Sequence, residues 1–151
     1  MPIAIRSDKI DISSEAKTEE FALKFLKKIK PQDIIFLYGE IGVGKTTFVR
    51  YLINGLQKEN NAIVTNVTSP TFNILNEYQI KNLKINHYDF YRLKSSNELK
   101  ELNLFSEKLN TITLIEWPQI IIEKPKPLIE LNFEYAKDFQ ERLVQIKVID
   151  Y

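Results

Sequence analysis

Residues 33–56 read Asp33-Ile34-Ile35-Phe36-Leu37-Tyr38-Gly39-Glu40-Ile41-Gly42-Val43-Gly44-Lys45-Thr46-Thr47-Phe48-Val49-Arg50-Tyr51-Leu52-Ile53-Asn54-Gly55-Leu56. The run from Ile34 to Tyr38 is short and apolar, which predicts a buried strand. Gly39, Gly44, Lys45 and Thr46 then fit the pattern G-x-x-x-x-G-K-[ST]. Phe48, Val49, Leu52, Ile53 and Leu56 follow at helical spacing. Strand, glycine loop and helix come in the order that a phosphate-binding loop requires. Three of the four glycines, at 39, 42 and 44, fall in this loop. At average residue usage the four specified positions would match by chance in roughly one chain of this length in a few hundred.

The residue types suit a polyphosphate. Its charges need many donors in a small concave space, and successive backbone N–H groups supply them where no side chain blocks the approach. Glycine removes the obstruction and accepts unusual dihedrals. The helix that follows points its positive end at the phosphates. Lys45 is placed to reach the β and γ phosphates, the Thr46 hydroxyl to bind Mg²⁺, and Thr47 to meet the α phosphate.

Composition narrows the class. A chain of 151 residues with 44% hydrophobic and 27% charged content suits one globular domain, residues 1–151, with a sizeable core. The net charge of +1 advertises neither a strongly basic nucleic-acid surface nor an acidic tail. With no cysteine, disulfides, zinc–thiolate sites and thiol nucleophiles are excluded. No apolar run approaches the roughly 18 residues of a membrane span, and the N-terminus lacks a signal peptide's apolar core. A cytoplasmic location is the expectation.

Before the loop, Pro2 to Ile12 alternates weakly, as an edge strand or strand pair would. Ser13-Ser14 offers a helix N-cap with Glu15 in the first turn. Phe21, Ala22, Phe25, Leu26 and Ile29 mark one apolar helix face, and Pro31 ends it. Glu15 and Thr18, near the start of this helix, could face a nucleobase, though packing is the plainer role.

After the loop helix, Gln57 to Asn66 is polar and expected to be exposed. Thr68-Ser69-Pro70-Thr71 reads first as an ordinary stiff turn, second as a segment presenting hydroxyls to phosphate or metal. Asn73 to Ile80 and Lys84 to Tyr91 read as a hairpin joined by Lys81-Asn82-Leu83. In its second strand His87, Asp89 and Tyr91 share one face, and Tyr88 and Phe90 the other. Asp89 could bind Mg²⁺ or position a water, or be a capped surface acid. His87 reads as a hydrogen-bonded structural residue rather than a base. Ser95 to Lys108 suggests short helices. Thr111 to Ile115 is a strand that ends in Glu116-Trp117-Pro118, and an acid directly after a buried strand is where phosphate-loop proteins keep a second carboxylate. Trp117, the only tryptophan, reads as core packing first and as a wall of the nucleotide site second. Leu128 to Tyr135 and Glu141 to Tyr151 read as two antiparallel strands. The fold class is therefore α/β, a phosphate-loop NTPase fold with a mixed sheet flanked by helices.

Four stretches together resemble the TsaE (formerly YjeE) family of ATPases in bacterial tRNA threonylcarbamoyladenosine synthesis. They are Gly39 to Thr47, Thr68-Ser69-Pro70-Thr71-Phe72, His87-Tyr88-Asp89-Phe90-Tyr91-Arg92-Leu93, and Leu114-Ile115-Glu116-Trp117-Pro118. The glycine loop is shared by many NTPases; the other three, in this order in so short a chain, are more specific. The resemblance implies ATP and Mg²⁺. It implies nucleotide binding by Glu40, Ile41, Gly42, Val43, Gly44, Lys45, Thr46 and Thr47, with Glu15 and Thr18 near the adenine. It places Mg²⁺ on Thr46 and Glu116, gives Asp89 a catalytic part with Lys45 and Glu116, and makes Ser69 to Thr71 resemble a switch. It names TsaD and TsaB as partners, with tRNA touched indirectly if at all, and makes the chain an accessory ATPase rather than the transferase. Two departures stand out. Glu40-Ile41-Gly42-Val43 replaces the family's frequent Asp-Leu-Gly-Ala, and Arg142 stands alone where the family often has paired arginines near the last hairpin.

Two other classes stay open on sequence grounds. A small phosphotransferase would need several cations to clamp the transferring group; the chain's arginines, Arg6, Arg50, Arg92 and Arg142, are scattered. A GTPase would carry N-K-x-D for guanine, and the chain lacks it.

Overall fold

A computed structural model describes residues 3–106 and 109–150. The expected element ends at Pro2, Lys108 and Tyr151 lie outside the described residues. The apolar run after Asp33 forms β3 (Ile34–Tyr38), preceded by β1 (Ile3–Arg6), β2 (Ile10–Asp11) and α1 (Glu15–Leu26). The Ser14 hydroxyl caps α1 by accepting from the Lys17 N–H at 3.2 Å. Beyond the loop come α2 (Lys45–Glu59), β4 (Leu75–Ile80), β5 (Leu83–Asp89), β6 (Thr111–Glu116), β7 (Leu128–Ala136) and β8 (Glu141–Asp150).

These strands make one mixed sheet in the order β1-β8-β7-β3-β6-β5-β4, with β2 also on β8. β3 lies between β6 and β7 and is parallel to both, and β5 is parallel to β6. β4, β8 and β1 add antiparallel edges. The mixed sheet expected from the many strand-like segments is thus present.

Alternation along β3 divides the interior. Ile35 and Leu37 face α1 and α2, in a core with Phe21, Phe25, Phe48, Leu52, Ile53 and Phe133. Phe36 faces the other way, with Tyr88, Phe90, Ile115 and Leu128. The Phe21, Phe25, Phe48 and Phe133 rings stack edge-on or tilted at 5.3 to 5.9 Å between centroids. Each such buried ring contributes about 1.5–3 kcal/mol by leaving water. Gly55 lets α2 approach α1, since a Cβ there would lie 2.8 Å from Leu26 Cδ1.

Several expected boundaries shift. The hairpin turn is Lys81-Asn82, with Lys81 at φ 53°, and Leu83 belongs to β5. β4 starts at Leu75 rather than Asn73, and β5 ends at Asp89, so Tyr91 lies beyond the strand. Gln57 is not part of an exposed loop: α2 runs through it and it is 3% exposed. Its amide donates to Thr65 Oγ1 and accepts from Thr65 N–H, pinning the returning chain. The segment after Ser95 holds a 3-10 helix, Ser96–Leu102, closed at its start by a Ser95–Glu98 capping box.

Candidate functional site

The parallel strands β3, β5 and β6 point their C-terminal ends at one edge, where α2 begins. That edge is where an α/β sheet opens a crevice to ligand. The loop from Gly39 to Gly44 bridges β3 and α2 there. A Cβ on Gly39 would sit 2.8 Å from Val43 Cγ1 and 2.9 Å from the Phe133 backbone oxygen, so the loop closes only without one. Gly44 holds the N-cap of α2 at φ 114° and offers no side-chain cap. The first N–H groups of α2 thus have no capping side chain and suit an anion. The Tyr135 hydroxyl steadies the loop by donating to the Ile41 carbonyl at 3.2 Å.

Lys45 is 5% exposed. Its ammonium donates to the Gly39 carbonyl and lies 3.7 Å from the centre of the Trp117 ring. Burial pushes its pKa below the ordinary lysine value, against the opposing pull of Glu116 and Asp89. Thr46 follows, and its hydroxyl lies 3.0 and 3.2 Å from the two Glu116 carboxylate oxygens. Glu116 Oε2 also lies 2.6 Å from His87 Nε2.

Asp89 and Glu116 are register partners at the ends of β5 and β6. Asp89 Oδ2 accepts from the Ser69 and Thr71 hydroxyls at 2.7 and 3.0 Å, and Oδ1 accepts from the Tyr91 N–H at 2.9 Å. The Ser69–Thr71 segment is therefore not an ordinary surface turn, because its hydroxyls bind a carboxylate of the site.

These groups line one cleft of about 280 Å³, with Ile41, Gly42, Gly44, Lys45, Thr46 and Thr47 on one side and Ser69, Thr71, Asp89, Tyr91, Glu116 and Trp117 on the other. Trp117 is half-buried and serves both roles: it packs against the second core cluster and faces the cleft. It is a wall of the cleft, set there by a left-handed backbone at φ 57° directly after Glu116, with the Tyr91 ring 5.0 Å away. The acid–aromatic–proline stretch is visible in sequence, but no periodicity tells which way a residue just past a strand will turn.

The side chains of the remaining expected site residues do not line the cleft. Glu40 is exposed and outside the cleft lining, and Val43 is fully buried in the helix-side core. Glu15 is exposed and ion-paired with Arg50 at 2.8 Å, on the outer side of α2. Thr18 is 2% exposed and its hydroxyl is spent on the Ile12 and Ser14 carbonyls. Arg142 donates to the Ser13 carbonyl at 2.9 Å, with Nη1 4.0 Å from where a Gly44 Cβ would be.

The donor set suits a hard cation. Thr46 spends its single proton on Glu116, which leaves hydroxyl lone pairs free, and two carboxylates stand beside it. Among the described residues no three His, Cys, Asp or Glu side chains cluster as a complete metal cage. Mg²⁺ needs no such cage, because it is usually held by one or two protein oxygens plus phosphate and water.

Comparison with known proteins gives the family. A model of the family described as "Threonylcarbamoyl adenosine biosynthesis protein TsaE" matches residues 12–144. The tRNA threonylcarbamoyladenosine biosynthesis protein TsaE of Rickettsia typhi is 44% identical over 138 residues, covering 90% of this chain and 92% of that one. The protein of the same name from Bacillus subtilis is 32% identical over 115 residues, 76% of this chain and 69% of its own. The crystal structure of Bacillus subtilis YdiB superposes with a TM-score of 0.68 at 25% identity, covering 98% of this chain and 86% of that one. With a glycine loop, two strand-end carboxylates and a family match spanning nearly all of its length, the chain belongs to the TsaE family of threonylcarbamoyl adenosine biosynthesis proteins.

Proposed function

We propose that this protein is an Mg²⁺-dependent ATPase that serves tRNA threonylcarbamoyladenosine biosynthesis by acting on a TsaD–TsaB complex in the cytoplasm. The observation that carries the reading is the convergence of Lys45, Thr46, Asp89 and Glu116 on one cleft at the start of α2. Lys45 and the loop N–H groups would bind the β and γ phosphates, and Thr46 and Glu116 would hold Mg²⁺, which neutralises phosphate charge when bound. Asp89 would orient the attacking water. Its Oδ2 accepts from the Ser69 and Thr71 hydroxyls and its Oδ1 from the Tyr91 N–H alone, so Oδ1 keeps a lone pair that can accept from a water.

Partner dependence follows from the cations. Lys45 is the one cationic side chain among the described residues lining the cleft. Arg92 stacks 4.7 Å from the Phe72 ring, Arg50 pairs with Glu15, and Arg142 is tied to Ser13. A transition state for phosphoryl transfer gains roughly 10³–10⁵ in rate from a supplied arginine, and the TsaD–TsaB complex is the proposed supplier of that charge or of the missing alignment.

Steady-state phosphate release tests this, measured for the protein alone, with TsaD–TsaB, and for Lys45→Ala. Slow release alone, an increase of about tenfold or more with the complex, and none from the variant are expected. Equal turnover with and without the complex, at saturating ATP and Mg²⁺, would overturn the partner role.

A further inference from the structure

We propose that His87 is a positioning residue for Glu116, fixing the carboxylate that would share Mg²⁺ with Thr46; the inference rests on the Mg²⁺–nucleotide reading above. His87 is fully buried, and the Glu116 side chain is 3% exposed. They occupy neighbouring parallel strands but are not register partners. His87 stands opposite Leu114, and Glu116 stands opposite Asp89. The imidazole therefore reaches diagonally along β5 to meet Glu116 Oε2 at 2.6 Å.

The register makes such a device necessary. It sets two buried carboxylates, Asp89 and Glu116, directly opposite each other, an arrangement that repels unless each has donors of its own. Asp89 has Ser69, Thr71 and the Tyr91 N–H. Glu116 has the Thr46 hydroxyl and His87. In this reading Thr46 can coordinate the cation through its free lone pairs while still donating to Glu116. His87 holds the other carboxylate oxygen, Oε2, from a side that takes no part in the metal.

The other ring nitrogen supports this. His87 Nδ1 is buried and has no hydrogen-bond partner among the described residues. A buried, unpaired polar atom is costly, so an apolar residue would fill this place at less cost if packing were its only task. Among the described residues the ring's one polar contact is with Glu116, and a carboxylate acceptor there calls for the Nε2–H tautomer. Outer-shell partners of this kind orient metal ligands, and their loss typically weakens metal affinity by about 10–100-fold.

The test compares His87→Gln, His87→Asn and His87→Leu by calorimetric ADP binding, once with Mg²⁺ and once with EDTA. A glutamine amide reaches about as far as Nε2, whereas an asparagine amide reaches only the position of Nδ1. His87→Leu and His87→Asn are expected to lose about 10–100-fold of the Mg²⁺-dependent gain in affinity while binding ADP in EDTA as the native protein does. His87→Gln is expected to recover most of that gain. Should His87→Leu not fold, Gln against Asn decides, since both are small amides on the same backbone. An undiminished Mg²⁺ gain in His87→Asn, a glutamine variant as weak as asparagine, or equal losses in Mg²⁺ and EDTA would overturn the positioning role. A native protein that binds no ADP at all would instead remove the nucleotide reading, and this inference with it.

Discussion

Lys45 Nζ lies 3.7 Å from the centroid of the Trp117 ring, so the phosphate-loop ammonium is capped by an indole from the opposite wall of its own cleft. The lysine's charge rests on the Gly39 carbonyl and on the negative face of the ring. Trp117 is the only tryptophan in the chain, so its fluorescence reports directly on what Lys45 does.

Lys45→Met is expected to abolish nucleotide binding without unfolding the protein. The folded-state pKa of Lys45 lies below its unfolded value because of burial. The ammonium therefore opposes folding at pH below that lowered pKa, and the opposition fades as pH rises through the ordinary lysine value of about 10.4. Melting at pH 7 checks the sign: the midpoint of Lys45→Met should equal or exceed that of the native protein, and any excess should shrink toward about pH 10.5.

Asp89→Asn keeps the size of the side chain but removes the charge that accepts the Ser69 and Thr71 hydroxyls. Phosphate release with the partner complex should fall by about 10²-fold or more, with ADP affinity changed by less than about threefold. A variant that hydrolyses ATP normally would exclude Asp89 from the chemistry.

Half-buried Tyr38 on β3 and buried Glu130 on β7 form a second polar pair. The phenol donates to Glu130 Oε2 at 2.9 Å, and Lys124 lies 2.9 Å from the same oxygen. Burial first, then the Glu130 bond, pushes the Tyr38 pKa up to about 12. Its folded pKa is raised, so the stability it contributes is fully present below about pH 10 and is lost as pH rises toward 12. Tyr38→Phe should cost about 1 kcal/mol at neutral pH and remove that part of the alkaline decline. Chemical denaturation at pH 7 and between pH 10 and 12, compared with the native protein, measures both.

Gly55 sits inside α2, where alanine would ordinarily gain about 0.8–1 kcal/mol in helix propensity. Here a Cβ meets Leu26 Cδ1 at 2.8 Å and Leu23 Cδ2 at 3.1 Å. Gly55→Leu should overpack the α1–α2 contact and cost about 1–3 kcal/mol, or roughly 2–4 °C of melting midpoint per kcal/mol. A melting curve unchanged by leucine would mean that the helices are not in close contact at this position.

The elements that carry a local signature are legible in the chain itself. The apolar run of β3, the glycine loop, the apolar stripe of α2 and the Ser14 cap are each confined to a few turns or pleats, so neighbouring residues alone specify them. Lys45, Thr46 and Glu116 are legible as well, because a loop motif and a strand-end acid are local patterns. The hydroxyls of Ser69 and Thr71 are ambiguous in sequence, since a turn and a carboxylate clamp use the same residue types.

What tertiary structure alone decides is which elements meet. Alternation says that β5 and β6 have buried faces but not that they are neighbours, nor that Asp89 falls opposite Glu116 and His87 one pleat behind it. The same limit explains Trp117, whose left-handed backbone swings it over Lys45, and Thr18, whose hydroxyl is turned inward to backbone carbonyls rather than toward the cleft. Sequence period encodes the direction of burial, a property of one element. Strand order, register and the turn of a residue past a strand end are settled by packing between elements distant in the chain, and those contacts place the chemistry of the cleft.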